Sequence, residues 1–244
     1  MYCAVHLLPS DYNRLIMTFH IISLFPSAFD SYLGESILKR AIEDKKINIK
    51  FYNPRDFIPK PRGRGLTYSE KRIDGRPYGG GPGMVIEVLP VARAVEHALK
   101  NSKSKKGARA GAKIIWLSPG GKLFTNNYAA KVAAKYSDVI IVCGRYEGID
   151  ARVRKIFKVE EVSVGPFVLT GGELPAMIIV DVMARQVPGV LGDMLSLEES
   201  RTASPEVYTR PEVVEYKGKK YKVPKVLLSG DHNKIEEWRQ RKNK

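Results

Sequence analysis

Apolar residues fall along this chain in short unbroken runs, separated by stretches with a helical period. The run Phe19-His20-Ile21-Ile22-Ser23-Leu24-Phe25 predicts a buried strand, stopped by Pro26 because proline has no amide to give a ladder. A helical pattern follows through Ile37, Leu38, Ala41 and Ile42, and Ile47 to Tyr52 reads as a second strand. Pro90 to Leu99 predicts a helix with proline near its start, where the missing amide costs no hydrogen bond. Lys113 to Leu117 reads as a strand, Thr125 to Tyr136 as a helix and Val139 to Cys143 as a strand. Val159 to Val164 and Phe167 to Leu169 are short and strand-like, and Glu173 to Gln186 is a strongly apolar helix. Continuous apolar strands alternating with helices predict an α/β fold, with a mostly parallel sheet covered on both faces.

Elsewhere the pattern is weaker. Pro59 to Gly83 is rich in Pro, Gly and Arg and predicts a long surface loop. After Pro188 the chain turns to Gly, Pro and charge, with one helical end near Lys234 to Arg241. The expected organisation is a catalytic α/β domain over residues 17–187, a linker over 188–205 and a small, mainly helical basic domain over 206–244. Residues 1–16 lack the charged start and apolar core of a secretory signal and read as an appended leader or a mis-called start ahead of Met17.

Composition and charge narrow the function classes. With 43% hydrophobic residues in 244, the chain can bury a sizeable core, which excludes global disorder. No apolar run approaches the roughly 18 residues of a membrane span. Two cysteines, Cys3 and Cys143, cannot form a disulfide framework or a four-cysteine zinc site; they fit a reducing cytoplasm, and no metal motif is present. The net charge of +15 is concentrated in three clusters. Lys217 to Lys244 holds ten basic residues against three acids, Lys100 to Lys113 six against none, and Arg55 to Arg76 seven against three. Several cations in separate clusters suit a polyanion such as RNA, because each neutralised phosphate releases a counterion. Tyr68, Tyr78, Tyr216 and Tyr221 sit among them, either as stacking platforms for unpaired bases or as packing residues.

The candidate chemistry lies in three glycine-bearing turns that follow strands: Leu117-Ser118-Pro119-Gly120-Gly121, Gly144-Arg145-Tyr146-Glu147-Gly148, and Val164-Gly165 leading to Thr170-Gly171-Gly172-Glu173. In open α/β sheets ligands gather at the carboxyl ends of strands, and glycine lets backbone approach a flat ligand closely. None of the turns has a dinucleotide fingerprint or a Walker loop, so an adenosine-type ligand held mainly by backbone is the better fit.

A longer series of motifs carries a specific resemblance. Leu24-Phe25-Pro26, Arg76-Pro77-Tyr78-Gly79-Gly80-Gly81-Pro82-Gly83-Met84, Leu117-Ser118-Pro119 and Cys143 to Asp150 are four of them. Leu169 to Ala176, Pro188 to Gly192, Tyr208 to Pro211 and Leu227 to His232 complete eight motifs in order. Together they resemble the bacterial tRNA (guanine-N1-)-methyltransferases. The resemblance implies a SPOUT-type α/β fold with a trefoil knot and a homodimer whose active sites lie at the subunit interface. It also implies methyl transfer from S-adenosylmethionine to N1 of guanosine 37 in tRNA, with any Mg²⁺ dependence left open. Leu117, Ser118, Pro119, Gly120, Gly144, Glu147, Val164, Gly165, Pro166, Phe167, Val168, Leu169, Gly171, Gly172 and Pro175 are then the expected cofactor pocket.

The same resemblance gives Arg185 the task of stabilising charge on O6 and Glu147 that of facing the donor sulfonium. The family's general base is an aspartate beyond the Pro-Gly-Val-Leu-Gly motif. This chain has Glu198-Glu199-Ser200 there, with Glu199 the first substitute and Glu198 the second. Pro166 stands where aspartate is usual, His20 where an acid is usual and Gly120 where glutamine is usual. A catalytically impaired RNA-binding relative and a methyltransferase acting on ribosomal RNA are the competing readings.

Overall fold

A computed structural model describes residues 16–59, 67, 69–102, 110–191 and 206–242. They divide into two compact units, Met1–Leu191 and Gly192–Lys244.

The first unit begins with β1 (Met17–Ile22), a 3₁₀ turn at Pro26–Phe29, the short α1 (Asp30–Leu33), α2 (Ser36–Glu43) and β2 (Ile47–Tyr52). A two-residue antiparallel pair, β3 (Asp74–Gly75) with β4 (Val85–Ile86), precedes α3 (Val88–Asn101). Then come β5 (Ala110–Leu123), α4 (Asn126–Lys135), β6 (Tyr136–Val142), α5 (Arg152–Ile156), β7 (Glu160–Ser163) and α6 (Glu173–Ala184). Five strands form one sheet in the order β2-β1-β6-β5-β7, and every neighbouring pair is parallel. The α/β expectation therefore holds.

Alternation along each strand divides the core in two. Met17, Phe19 and Ile21 point to one face, where they meet Ala129 and Val132 of α4 and Ile179 and Met183 of α6. Ile22, Ile140 and Val142 point to the other, against Val91, Ala94 and Val95 of α3. Both faces are buried, so these strands read as continuous apolar runs. Thr125 fixes the start of α4 by accepting a hydrogen bond from the Tyr128 amide at 3.2 Å. His20 lies fully buried on the α3 side of the sheet. Its Nε2 is hydrogen-bonded to Asp138 on β6 at 3.0 Å, and its Nδ1 to the Tyr52 hydroxyl at 2.9 Å. The histidine is thus satisfied by the two strands that flank β1.

Several boundaries differ from the sequence expectation. β1 ends at Ile22: the Ser23 amide still donates to the Tyr52 carbonyl at 3.2 Å, and the chain bends away at Leu24 before Pro26. Phe167 to Leu169 is not a strand: the segment is exposed and pairs with no neighbour. β5 runs past Leu117 to Leu123, but its ladder is broken: Leu117 and Lys122 both align with Val162 of β7, and Ser118–Gly121 loops out between them.

In the second unit, β8 (Val213–Tyr216) and β9 (Lys219–Lys222) form an antiparallel hairpin, followed by a 3₁₀ turn at Lys225–Leu228 and α7 (His232–Lys242). Lys217 and Gly218 make the two-residue turn with φ of 53° and 72°, the left-handed pair that matches strand twist. The helical end near Lys234 is present, while the hairpin was not anticipated, since both its strands are exposed and lack an apolar face. Rings of Tyr208 and Trp238 approach to 6.4 Å within this unit. Tyr68 and residues 103–109 of the second basic cluster lie outside the described residues.

Candidate active site

The break in β5 and the carboxyl ends of β6 and β7 converge on one cavity of about 320 Å³. The detour within β5 contributes Leu117, Ser118 and Pro119; the turn after β6 contributes Gly144, Arg145, Tyr146, Glu147 and Gly148. The segment from β7 to α6 gives Val164, Gly165, Phe167, Val168, Leu169, Gly171, Gly172 and Pro175. All three glycine turns thus meet at one place. Arg145, Tyr146, Gly148 and Thr170, members of the glycine turns outside the expected pocket set, also line the cavity, as do Val162 and Ser163, which read only as strand residues. The signal for Ser163 was a hydroxyl at the end of an apolar strand. Its Oγ donates to the Gly165 carbonyl at 2.9 Å and accepts from the Gly165 amide at 3.3 Å, which closes the turn.

Two expected members stand apart. Gly120 is exposed with nothing near its Cα substituent position, and Pro166 is exposed at the crown of its turn; neither lines the cavity. The constraint in the first loop falls on Gly121 instead. A Cβ there would lie 2.5 Å from the Val162 nitrogen and 2.6 Å from the Glu161 carbonyl carbon. Gly172 is similarly close-packed: a Cβ there would lie 2.6 Å from the Cys143 Cα, and its amide donates to the Gly144 carbonyl at 2.9 Å. Cys143 itself is buried, and that burial, then the nearby Glu173 charge, pushes its thiol well up, so it stays protonated.

Glu147 is the one carboxylate among the lining residues. Its position is set by the glycine-rich loop ahead of β4. The Glu147 amide donates to the Met84 carbonyl at 3.0 Å, the Ile86 amide to the Gly148 carbonyl at 3.0 Å, and the Asp150 amide to the Ile86 carbonyl at 2.9 Å. Gly83, at φ 79°, fits against the Glu147 side chain, and a Cβ there would sit 2.5 Å from Oε1. Gly83→Ala is therefore expected to displace the carboxylate and to cost about 1–3 kcal/mol from backbone strain. The check is a thermal melt beside a donor-binding titration: an unchanged melt and unchanged affinity would remove Gly83 from this role.

Arg185 follows α6 as its C-cap and is partly buried, and its Nε has no hydrogen-bond partner among the described residues. It does not line the cavity. The helix that starts at the cavity ends twelve residues later, about 18 Å away at 1.5 Å per residue. Within one chain, then, Arg185 and the cavity are not brought together. Glu198 and Glu199 lie outside the described residues. Among the described residues no group of three or more His, Cys, Asp or Glu could hold a metal ion, and no helix is long and apolar enough to cross a membrane.

Beside the cavity, the outer face of α6 forms an apolar groove of about 730 Å³ with Phe167 and Leu169, which line both. Leu174, Met177, Ile178 and Val182 line it, and Leu174 is 58% exposed. The Tyr32 hydroxyl donates to Asp181 at its edge.

Comparison with known proteins agrees with this geometry. A curated relative from Geobacter metallireducens, named tRNA (guanine-N(1)-)-methyltransferase, is 44% identical over 230 residues, covering 93% of this chain and 86% of the relative. One of the same name from Clostridioides difficile is 40% identical over 91% of this chain and 90% of its own length. Another, from Buchnera aphidicola, is 39% identical over 93% of this chain and 90% of its own length. The sequence profile described as tRNA (Guanine-1)-methyltransferase TrmD matches residues 17–244, and the chain belongs to that family.

Proposed function

We propose that the protein transfers a methyl group from S-adenosylmethionine to N1 of guanosine 37 in tRNA. The observation that carries the reading is the cavity where three glycine turns meet at the strand ends, in a chain 39–44% identical to proteins named for this activity.

The cavity suits the donor. Its volume lies within the roughly 300–1,000 Å³ range of small-ligand sites. Backbone and short side chains offer flat walls for an adenine ring, and the lone carboxylate of Glu147 suits a cationic sulfur. When bound, S-adenosylmethionine supplies an electrophilic methyl group. The chain's own residues handle the guanine. N1 keeps its proton near neutral pH, so a carboxylate must take it, and a positioned base contributes about 10² to 10⁴ in rate. Glu199, with Glu198 beside it, is assigned that role. As N1 loses its proton, negative charge gathers on O6, and Arg185 with its open Nε is the donor proposed to meet it.

A homodimer supports this division of labour. Arg185 stands about a helix length from the cavity of its own chain. A second copy packed on the apolar α6 groove, which is continuous with the cavity, would supply the missing groups. We further propose that Ser118–Gly121 and the pairing of β7 on both sides of that detour belong to a trefoil knot of the SPOUT type. Residues 206–244 act as a separate tRNA-binding domain after a linker over 188–205, and the enzyme works in the cytoplasm. The exposed hairpin with Lys217, Lys219, Lys220 and Lys222 supports an RNA contact there.

The test is methylation of unmodified tRNA with labelled donor, followed by mass-spectrometric mapping of the product. 1-Methylguanosine at position 37 is the expected result; a methyl group elsewhere, or in ribosomal RNA only, removes the assignment. Glu199→Gln is expected to slow single-turnover transfer about tenfold, with Glu198 retaining part of the proton transfer, while donor affinity stays unchanged. Wild-type single-turnover rates would take Glu199 out of the base role.

A further inference from the structure

We propose that Glu173 is a positioning residue for the donor pocket, its buried carboxylate tying together three loops, two of which wall the pocket. The inference rests on the reading that the cavity holds S-adenosylmethionine.

Glu173 is the first residue of α6 and only 3% exposed. Its Oε1 accepts a hydrogen bond from Ser23 Oγ at 2.8 Å, and its Oε2 lies 2.9 Å from Arg145 Nε in an ion pair that is not aligned as a hydrogen bond. Ser23 belongs to the loop after β1, Arg145 to the turn after β6, and Glu173 opens α6 directly behind the Gly171-Gly172 loop. One carboxylate therefore bridges three residues that are 28 or more positions apart in sequence.

Each link is reinforced. Ser23 Oγ also accepts from the Phe25 amide at 3.0 Å, and the Arg145 guanidinium lies 4.8 Å above the Phe25 ring. Arg145 pairs with Gly171 through an isolated backbone bridge. Gly171 has to be glycine for the same reason, since a Cβ there would run into Arg145 Nε and Glu173 Oε2. Arg145, Gly171 and Gly172 line the cavity; Glu173 and Ser23 do not. Glu173 thus acts through others. A buried carboxylate persists only where cations and donors compensate its lost hydration, and a helix N-terminus adds to that compensation. The charge is placed where it orients the arginine of the cavity wall.

Glu173→Gln tests this, because glutamine keeps the shape and the Ser23 bond but sets an amide donor against the Arg145 donor. The probe is S-adenosylhomocysteine, titrated calorimetrically onto the full-length protein, so that no turnover is required. The variant is expected to bind it about tenfold more weakly, the loss of one charge-assisted contact. tRNA affinity and the thermal midpoint stay at wild-type values. In turnover, KM for the donor rises while KM for tRNA does not. Arg145→Gln is expected to weaken binding comparably, and the double variant no further than either single one. Unchanged affinity in Glu173→Gln overturns the inference. So does a parallel fall of donor affinity, tRNA affinity and thermal midpoint, which marks a purely structural residue. Should Glu173→Gln fail to fold, Ser23→Ala removes only the hydroxyl and decides by the same criteria. A wild-type protein that does not bind S-adenosylhomocysteine overturns both this inference and the pocket reading; a wild type that binds beside an unaffected variant overturns this one alone.

Discussion

Removing the guanidinium in Arg185→Ala is expected to slow single-turnover methyl transfer by about 10²–10³-fold, the usual cost of deleting one donor to a developing oxyanion. Buried donors are paired in folded proteins, so an Nε buried without a partner among the described residues is open to a ligand oxygen. Donor affinity should not change, because Arg185 does not line the cavity and caps the far end of α6. The same variant tests the sharing of sites between subunits. Mixed with Gly144→Leu, whose Cβ would meet nothing nearer than Ile149 at 3.9 Å and whose longer side chain is expected to fill the pocket that Gly144 lines, Arg185→Ala should regain activity. A hybrid dimer would combine the intact pocket of one chain with the intact arginine of the other. Absence of complementation between two folded, dimeric variants would put both groups in one chain. Wild-type turnover of Arg185→Ala alone would reduce the residue to a helix-terminal cation.

Gly121→Ala is expected to lower stability by about 2–3 kcal/mol, at the upper end of overpacking effects. The added methyl would fall on three backbone atoms of β7: the Val162 nitrogen, the Glu161 carbonyl carbon and the Val162 carbonyl carbon, at 2.5, 2.6 and 2.8 Å. Side chains can rotate away from such a contact, but backbone held in a ladder cannot. Relief requires Lys122 and Leu123 to leave their pairing with Val162 and Ser163, which also moves the cavity wall at Leu117–Pro119. Chemical denaturation with unchanged slope measures the first effect, and donor titration the second. Gly120→Ala is the matched control, since that position is exposed with open space around it. Equal stability of the two variants would show that the close approach at Gly121 relaxes without cost.

The sheet was legible because its strands are buried on both faces. Val139 to Cys143, on the central strand, is a continuous apolar run that admits few alternatives between turn residues, while the edge strand Ile47 to Tyr52 shows itself by alternation, with Asn48 and Lys50 between apolar positions. The cavity was legible for a related reason: glycines clustered after three successive strands, and a parallel sheet brings strand ends to the same edge. The β8–β9 hairpin escaped because strands exposed on both faces carry no hydrophobic period to read.

Local sequence thus determined the α/β alternation, the strand ends that would meet a ligand and the family motifs that name the chemistry, since each depends on residues a few positions apart. Only the tertiary structure decided which glycine of the first loop is indispensable, Gly121 against β7, and that Glu173 holds Ser23 and Arg145 from opposite ends of the unit. It alone separated Arg185 from the cavity and paired the buried His20 with Tyr52 and Asp138. These are contacts between segments tens of residues apart. Their energies depend on distances that exist only once the sheet has brought its strands together.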